Sequence, residues 1–181
     1  MVTRNGIDEE LWNGVKQEIR ERPEEAKVIV RTVHHWTGGF GFRGRAKTIE
    51  SVGEITERSF QFSTDWPEDV AGSDTGPSPG EALLGALGGC IGLSFIASAV
   101  NRGVEIDQLE IDIEARADLQ AVFDAGDARP GLSSIDIFLR VRADAEEQTL
   151  VALGEAASRT STVFDSLVSP VPISIGVQTH H

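Results

Sequence analysis

The chain holds one thiol, Cys90, which follows Gly88-Gly89 inside an uncharged stretch at residues 82–101. The thiolate, not the thiol, is the nucleophile, so chemistry at Cys90 requires a cation or a helix end brought beside it by tertiary structure. At helical spacing its neighbours are Leu83, Ala86, Leu87, Ser94 and Ala97. That small, apolar face equally suits an inert core cysteine whose pKa is raised by burial. Spacing alone leaves both readings open. Glu81, the one acid at the start of the same helix, lies nine residues before Cys90. In a straight helix this is about 13 Å away and on the opposite face. The two meet only around a bend or across a dimer; alone, Glu81 reads as a first-turn acid balancing the helix dipole.

Other chemistries find less support. His34 and His35 adjoin in strand-like sequence and point to opposite faces, so they do not share a metal easily. With one Cys and no His pair at helical spacing, no metal or cofactor is expected. Gly38, Gly39, Gly41 and Gly44 open no helix, so a dinucleotide loop is excluded. Ser161 near Asp165 lacks a suitably placed His for a triad. His180 and His181 are terminal and carry no role in this reading.

Composition bounds the partners. There are 29 acids against 16 bases, a formal net charge of −13, and a surface of that sign repels nucleic acid and anionic membranes. A lone Cys forms no internal disulfide. Residues 1–23 carry Asp8, Glu9, Glu10, Glu18 and Glu21 without an apolar core, unlike a secretory signal, so a reducing cytoplasm is the expected location. The uncharged stretch is about as long as a membrane span, yet it holds four glycines and has no second candidate span beside it. We read it as buried in protein.

The elements that must position Cys90 follow from periodicity. Leu11, Trp12, Val15 and Ile19 give an amphipathic N-terminal helix that Pro23 closes, packed through Trp12 onto the main fold. Residues 26–36, 40–49 and 54–62 read as an antiparallel meander. An Asp/Gly/Ser/Pro-rich loop at 64–79 leads into the long helix, with Ser78 as its cap and Pro79 in its first turn. Residues 104–119 and 132–143 read as two long strands, 146–159 as a second helix, 161–168 as a short one and 172–179 as a final strand. The plan is α+β, with residues 1–23 as a helical extension and 24–179 as one domain. A helix with no polar face needs cover on both sides, and a second copy of the chain is the economical supply.

The run Gly76-Pro77-Ser78-Pro79-Gly80-Glu81-Ala82-Leu83-Leu84-Gly85-Ala86-Leu87-Gly88-Gly89-Cys90 resembles the signature helix of the OsmC-like superfamily, and the order of the flanking elements matches as well. The resemblance implies curved antiparallel sheets around a long buried central helix in an intertwined homodimer. It further implies that a thiolate at Cys90 attacks a hydroperoxide and becomes a sulfenic acid, which a second Cys then resolves. An Arg and a Glu hold that thiol ionised, in a site shared between subunits. This chain departs from the pattern: Ser161 occupies the second-Cys position, Gly80 stands where the peroxidase Glu normally falls, and Arg43 and Arg45 are the cations nearest the expected Arg. The implied function is one-Cys, thiol-dependent reduction of organic hydroperoxides in oxidative stress defence, with an external thiol as reductant. The alternative is a non-catalytic dimer that binds a small hydrophobic ligand in its interface cleft.

Overall fold

The computed structural model describes residues 3–51 and 53–179; Val52 and the terminal pair His180 and His181 lie outside the described residues. Packing divides the chain into two compact units, residues 1–85 and 86–181.

In the first unit, a two-residue hairpin of β1 (Thr3–Arg4) and β2 (Ile7–Asp8) precedes helix α1 (Glu9–Glu21). Asp8 caps the helix, its Oδ1 accepting from the amides of Glu10 (3.0 Å) and Leu11 (3.1 Å). Leu11, Val15 and Ile19 form the expected apolar stripe, but all three are exposed, with Trp12 beside them half-buried. The meander follows: β3 (Ile29–Gly38), β4 (Gly41–Ser51), then β5 (Glu54–Glu57) and β6 (Gln61–Thr64), the last two both antiparallel to β4. The single third strand expected over 54–62 is thus interrupted at residues 58–60. There the Arg58 guanidinium sits over the Phe60 ring, 4.7 Å from its centroid, and β4 carries its own bulge opposite. The pairing places His34 and Phe62 either side of Gly44, their rings edge to face at 5.2 Å; a Cβ on Gly44 would lie 2.3 Å from the Phe62 ring. Trp36, Phe42 and Phe62 all remain exposed, Trp36 at 68%.

Helix α2 (Pro79–Arg102) begins at the end of this unit and carries the chain into the second. Ser78 and Glu81 form a reciprocal capping box: the Glu81 amide donates to Ser78 Oγ (3.2 Å) and the Ser78 amide to Glu81 Oε2 (2.7 Å). The helix ends at Gly103 with φ +71°, where the amides of Gly103 and Val104 reach back to Val100 and Ala99.

The second unit contains the core. β7 (Ile106–Ala117) and β8 (Leu132–Ala143) form a long antiparallel ribbon, followed by α3 (Glu147–Thr160) and α4 (Thr162–Val168). Strict alternation gives the ribbon an apolar face of Leu109, Ile111, Ile113, Ile135, Ile137, Leu139 and Val141, which packs on Leu87, Ile91, Phe95 and Ala99 of α2 and on Leu153 and Ala157 of α3. Gly88 and Gly92 let the ribbon approach closely, since a Cβ on either would lie 3.3 Å from the Cδ1 of Ile113 or Ile111. The opposite face is ionic: Arg140 pairs with Glu110 (2.9 Å) and Asp112, and Arg116 with Asp136 (3.1 Å) and Glu114. By length and composition α2 would pass for a membrane span, but its packing makes it the core helix of this unit. One stripe of it nevertheless stays uncovered: Ala86 and Gly89 are exposed and Leu93 is 69% exposed.

The strand expected at 172–179 does not form. The segment after α4 makes no ladder, and Ile173, Ile175 and Val177 are 83%, 91% and 84% exposed. Its alternation makes it competent to be a strand, but among the described residues it pairs with no other strand.

Candidate functional site

Cys90 is half-buried in the middle of α2, on the side of the helix that meets the start of α4. The chain turns between α3 and α4 at Ser161, which caps α4, its Oγ accepting from the Phe164 amide at 3.3 Å. Ser161 is buried at 1% exposure. The same hydroxyl, and after it the backbone amides of Val163 and Thr162, favours the ionised form of the Cys90 thiol. Burial pushes the Cys90 thiol up, but the Ser161 hydroxyl and then the two amides outweigh it, and the balance lies below the ordinary thiol value. The small apolar face left the inert and the reactive cysteine both open; the start of α4 favours the reactive one, because the first amides of a helix have no partners of their own.

Of the expected site residues, the structure brings Cys90 and Ser161 together, both in the second unit. Glu81 is in the first unit, exposed, with its carboxylate in the capping box; its hydrogen bonds from the Ser78 side chain and then the Ser78 amide hold it below the usual carboxylate range. Arg43 and Arg45 are also in the first unit, two residues apart on β4 and therefore on one face of the sheet. Register sets Arg43 opposite His35 and Ser63, and Arg45 opposite Val33 and Gln61. Both guanidiniums are exposed, and neither has a hydrogen-bond or ion-pair partner among the described residues.

Two contributions were not legible beforehand. The amides of Thr162 and Val163 act through the backbone, which leaves no mark in residue type. The other is Asp65, a buried carboxylate that ties down the loop before α2. Its Oδ1 accepts from the Trp66 amide (2.8 Å) and its Oδ2 from the Thr75 hydroxyl (2.8 Å) and amide (3.3 Å). The Thr75 hydroxyl above all, then the Trp66 amide, hold Asp65 below the ordinary carboxylate value despite burial. An Asp followed by a Gly/Ser/Thr/Pro-rich stretch was the available signal. Among the described residues no group of three His, Cys, Asp or Glu side chains is placed to hold a metal ion. A shallow apolar groove lined by Phe95, Leu139, Val141, Leu150 and Val151 runs beside α3.

None of the curated proteins matches the chain significantly. Several solved structures share its fold. An OsmC-like protein from Mycoplasma pneumoniae superposes with a TM-score of 0.59 at 15% identity, covering 81% of this chain and 90% of that one. An organic hydroperoxide resistance protein OsmC from Legionella pneumophila gives 0.55 at 10% identity, covering 78% and 90%. An OsmC-like protein of unknown function from Vibrio cholerae gives 0.52 at 12% identity, covering 76% and 92%. At such identities these relatives speak for the α+β fold alone. The sequence model of the OsmC-like protein family matches residues 72–176, more than half the chain and the whole of the Cys90 and Ser161 region, so the protein belongs to the OsmC-like family.

Proposed function

We propose that this OsmC-like protein is a one-cysteine hydroperoxide reductase acting through Cys90. The observation that carries this reading is the buried Ser161 at the start of α4, whose hydroxyl, with the Val163 and Thr162 amides, favours the Cys90 thiolate. The thiolate attacks one oxygen of an organic hydroperoxide; the O–O bond breaks, an S–O bond forms and the alcohol leaves after taking a proton. Sulfur is oxidised by two electrons to a sulfenic acid, and the peroxide is reduced by the same two. Ser161, with oxygen in place of sulfur, forms no disulfide, so an external thiol condenses with the sulfenic acid, releasing water. A second thiol then frees Cys90. A reducing cytoplasm is the compartment that would supply such thiols. In this reading the chain works as a homodimer, with Glu81 and the unpaired Arg43 or Arg45 helping to orient the peroxide. The uncovered stripe of α2 and the exposed aromatic face of the β3–β6 sheet both favour a second copy.

The test is consumption of cumene or tert-butyl hydroperoxide by prereduced protein with excess small thiol. Turnover lost in Cys90→Ser supports the reading; a rate equal to that of Cys90→Ser rejects it. The same exposed apolar surface favours one other reading, a non-catalytic dimer that holds a small hydrophobic ligand. Native mass spectrometry without retained ligand, together with no thermal shift from fatty acids, would sink that alternative.

A further inference from the structure

Glu81 and the arginines of β4 come from distant parts of the first unit's sequence, and one buried side chain stands between them. Arg43 pairs across the sheet with Ser63 of β6, and Asp65 follows directly after that strand ends. The loop then runs out and returns, so that residues 75–77 lie beside residues 63–65. The Asp65 amide donates to the Pro77 carbonyl (3.2 Å), and a Cβ on Gly76 would lie 2.8 Å from Ser63 Oγ and 3.1 Å from its carbonyl oxygen. Ser78 comes next, and its amide donates to the Glu81 carboxylate at 2.7 Å. A short path of hydrogen bonds and adjacent residues therefore leads from the strand opposite Arg43, through Asp65 and Pro77, to the carboxylate of Glu81.

The return of the loop depends on the Asp65 side chain. One of its oxygens takes the Thr75 hydroxyl and amide, two residues before Pro77, and the other takes the Trp66 amide. The Trp66 ring in turn lies against Phe40, with 5.0 Å between centroids, at the turn that leads into β4. One oxygen thus governs the approach to Glu81 and the other the approach to Arg43. At 2% exposure Asp65 is too buried to meet a substrate, so it acts only through what it holds. The position asks for a carboxylate, which accepts on both oxygens. An asparagine would present an N–H to one of these donors and leave it without an acceptor.

We propose that Asp65 is a positioning residue for peroxide reduction, setting the Glu81 carboxylate in register with the arginines of β4. The inference rests on the reductase reading above, in which Glu81 and Arg43 or Arg45 orient the peroxide, and it names the group that fixes their spacing. A small displacement of an orienting group slows the step it serves and leaves other steps alone.

The experiment is steady-state turnover by the intact, prereduced protein, with cumene hydroperoxide and dithiothreitol varied in turn. In such a two-stage cycle kcat/KM for the peroxide reads the attack on the O–O bond, and kcat/KM for the thiol reads the return to Cys90. Asp65→Asn is expected to lower the peroxide value about tenfold, with the thiol value and the iodoacetamide profile of Cys90 unchanged. In a Glu81→Gln background the same change should lose most of its effect, because the group it positions is gone. A wild-type peroxide value in Asp65→Asn, or both values lowered alike, would overturn the positioning role and leave the reductase reading standing. An effect that adds in full to that of Glu81→Gln would do the same. Wild-type protein with no turnover above that of Cys90→Ser would overturn both. If Asp65→Asn does not fold, Thr75→Val makes the test by removing one donor, and Thr75→Ser is expected to restore the peroxide value; a wild-type peroxide value in Thr75→Val would then overturn the proposal.

Discussion

Of the two larger antiparallel sheets among the described residues, only one has been given a core. The β7–β8 ribbon has two strands, yet its apolar face is packed on α2 and α3. The β3–β6 sheet has more strands and more aromatic residues, but among the described residues it buries no large apolar side chain; Trp36, Phe42 and Phe62 all face solvent. Strand pairing is therefore not what separates a stable layer from an unstable one. What separates them is whether a helix at the right spacing lies across the face, as Leu87, Ile91, Phe95 and Ala99 do at intervals of four residues.

The contrast can be broken by one substitution made on each side of it. Phe95→Ala, at 1% exposure, should cost about 3–5 kcal/mol in urea denaturation, whereas Phe62→Ala in dilute protein should cost less than about 1 kcal/mol. Equal losses would mean that the sheet face is covered in solution after all. A smaller effect is expected at the thiol. Ser161→Ala removes the largest of the interactions that hold Cys90 down, so the apparent pKa for iodoacetamide alkylation should rise towards the ordinary value near 8.5. An unchanged profile would show that the α4 amides suffice. The linked stability has a definite sign: a thiol depressed in the folded state adds stability that is complete above the unfolded thiol value and is lost as pH falls through the folded one. Cys90→Ser should therefore lose ground to wild type mainly on the alkaline side, read as the difference in Tm across pH.

Asp65 offers the acid counterpart in the first unit. Its carboxylate is held low by Thr75 and Trp66, so its contribution is present above the ordinary carboxylate range and disappears as pH drops through the folded value. Asp65→Asn should flatten the acid limb of the Tm profile; an acid limb identical to wild type would mean that the loop is held by other means. The smallest effect is expected at Gly88→Ala, whose new methyl meets only the terminal Cδ1 of Ile113 at 3.3 Å. Better helix propensity and slight crowding nearly cancel, and the change should stay within about 1 kcal/mol.

Much of this arrangement was legible before any coordinates. Ser78, Pro79 and Glu81 announced the start of α2, and Gly103 its end, because caps depend on side chains at fixed offsets. Ser161 was assigned the second-Cys position by resemblance, and it stands at the turn between α3 and α4. What escaped detection was whatever depends on a partner. Alternation at 172–179 marks a segment fit for pairing without saying where the other strand is. The break at residues 58–60 is a bulge, with the Arg58 amide still donating to the Lys47 carbonyl and the Ala46 amide to the Phe60 carbonyl, and period does not mark it. The amides that face Cys90 belong to Thr162 and Val163, where any residue but proline would serve as well.

The Ser161 hydroxyl is the first of the groups that hold the Cys90 thiol down, so one atom separates this chain from a dithiol. Exchanging that oxygen for sulfur, Ser161→Cys, would supply a second thiol to condense with the sulfenic acid, releasing water and leaving an internal disulfide that a reductant from solution must still reduce. What this position decides is how the oxidised cysteine is resolved, not whether electrons are needed from outside. That step is set by a single side-chain atom at the start of a seven-residue helix, which makes the choice between a mixed disulfide and an internal one the easiest feature of this protein to rewrite.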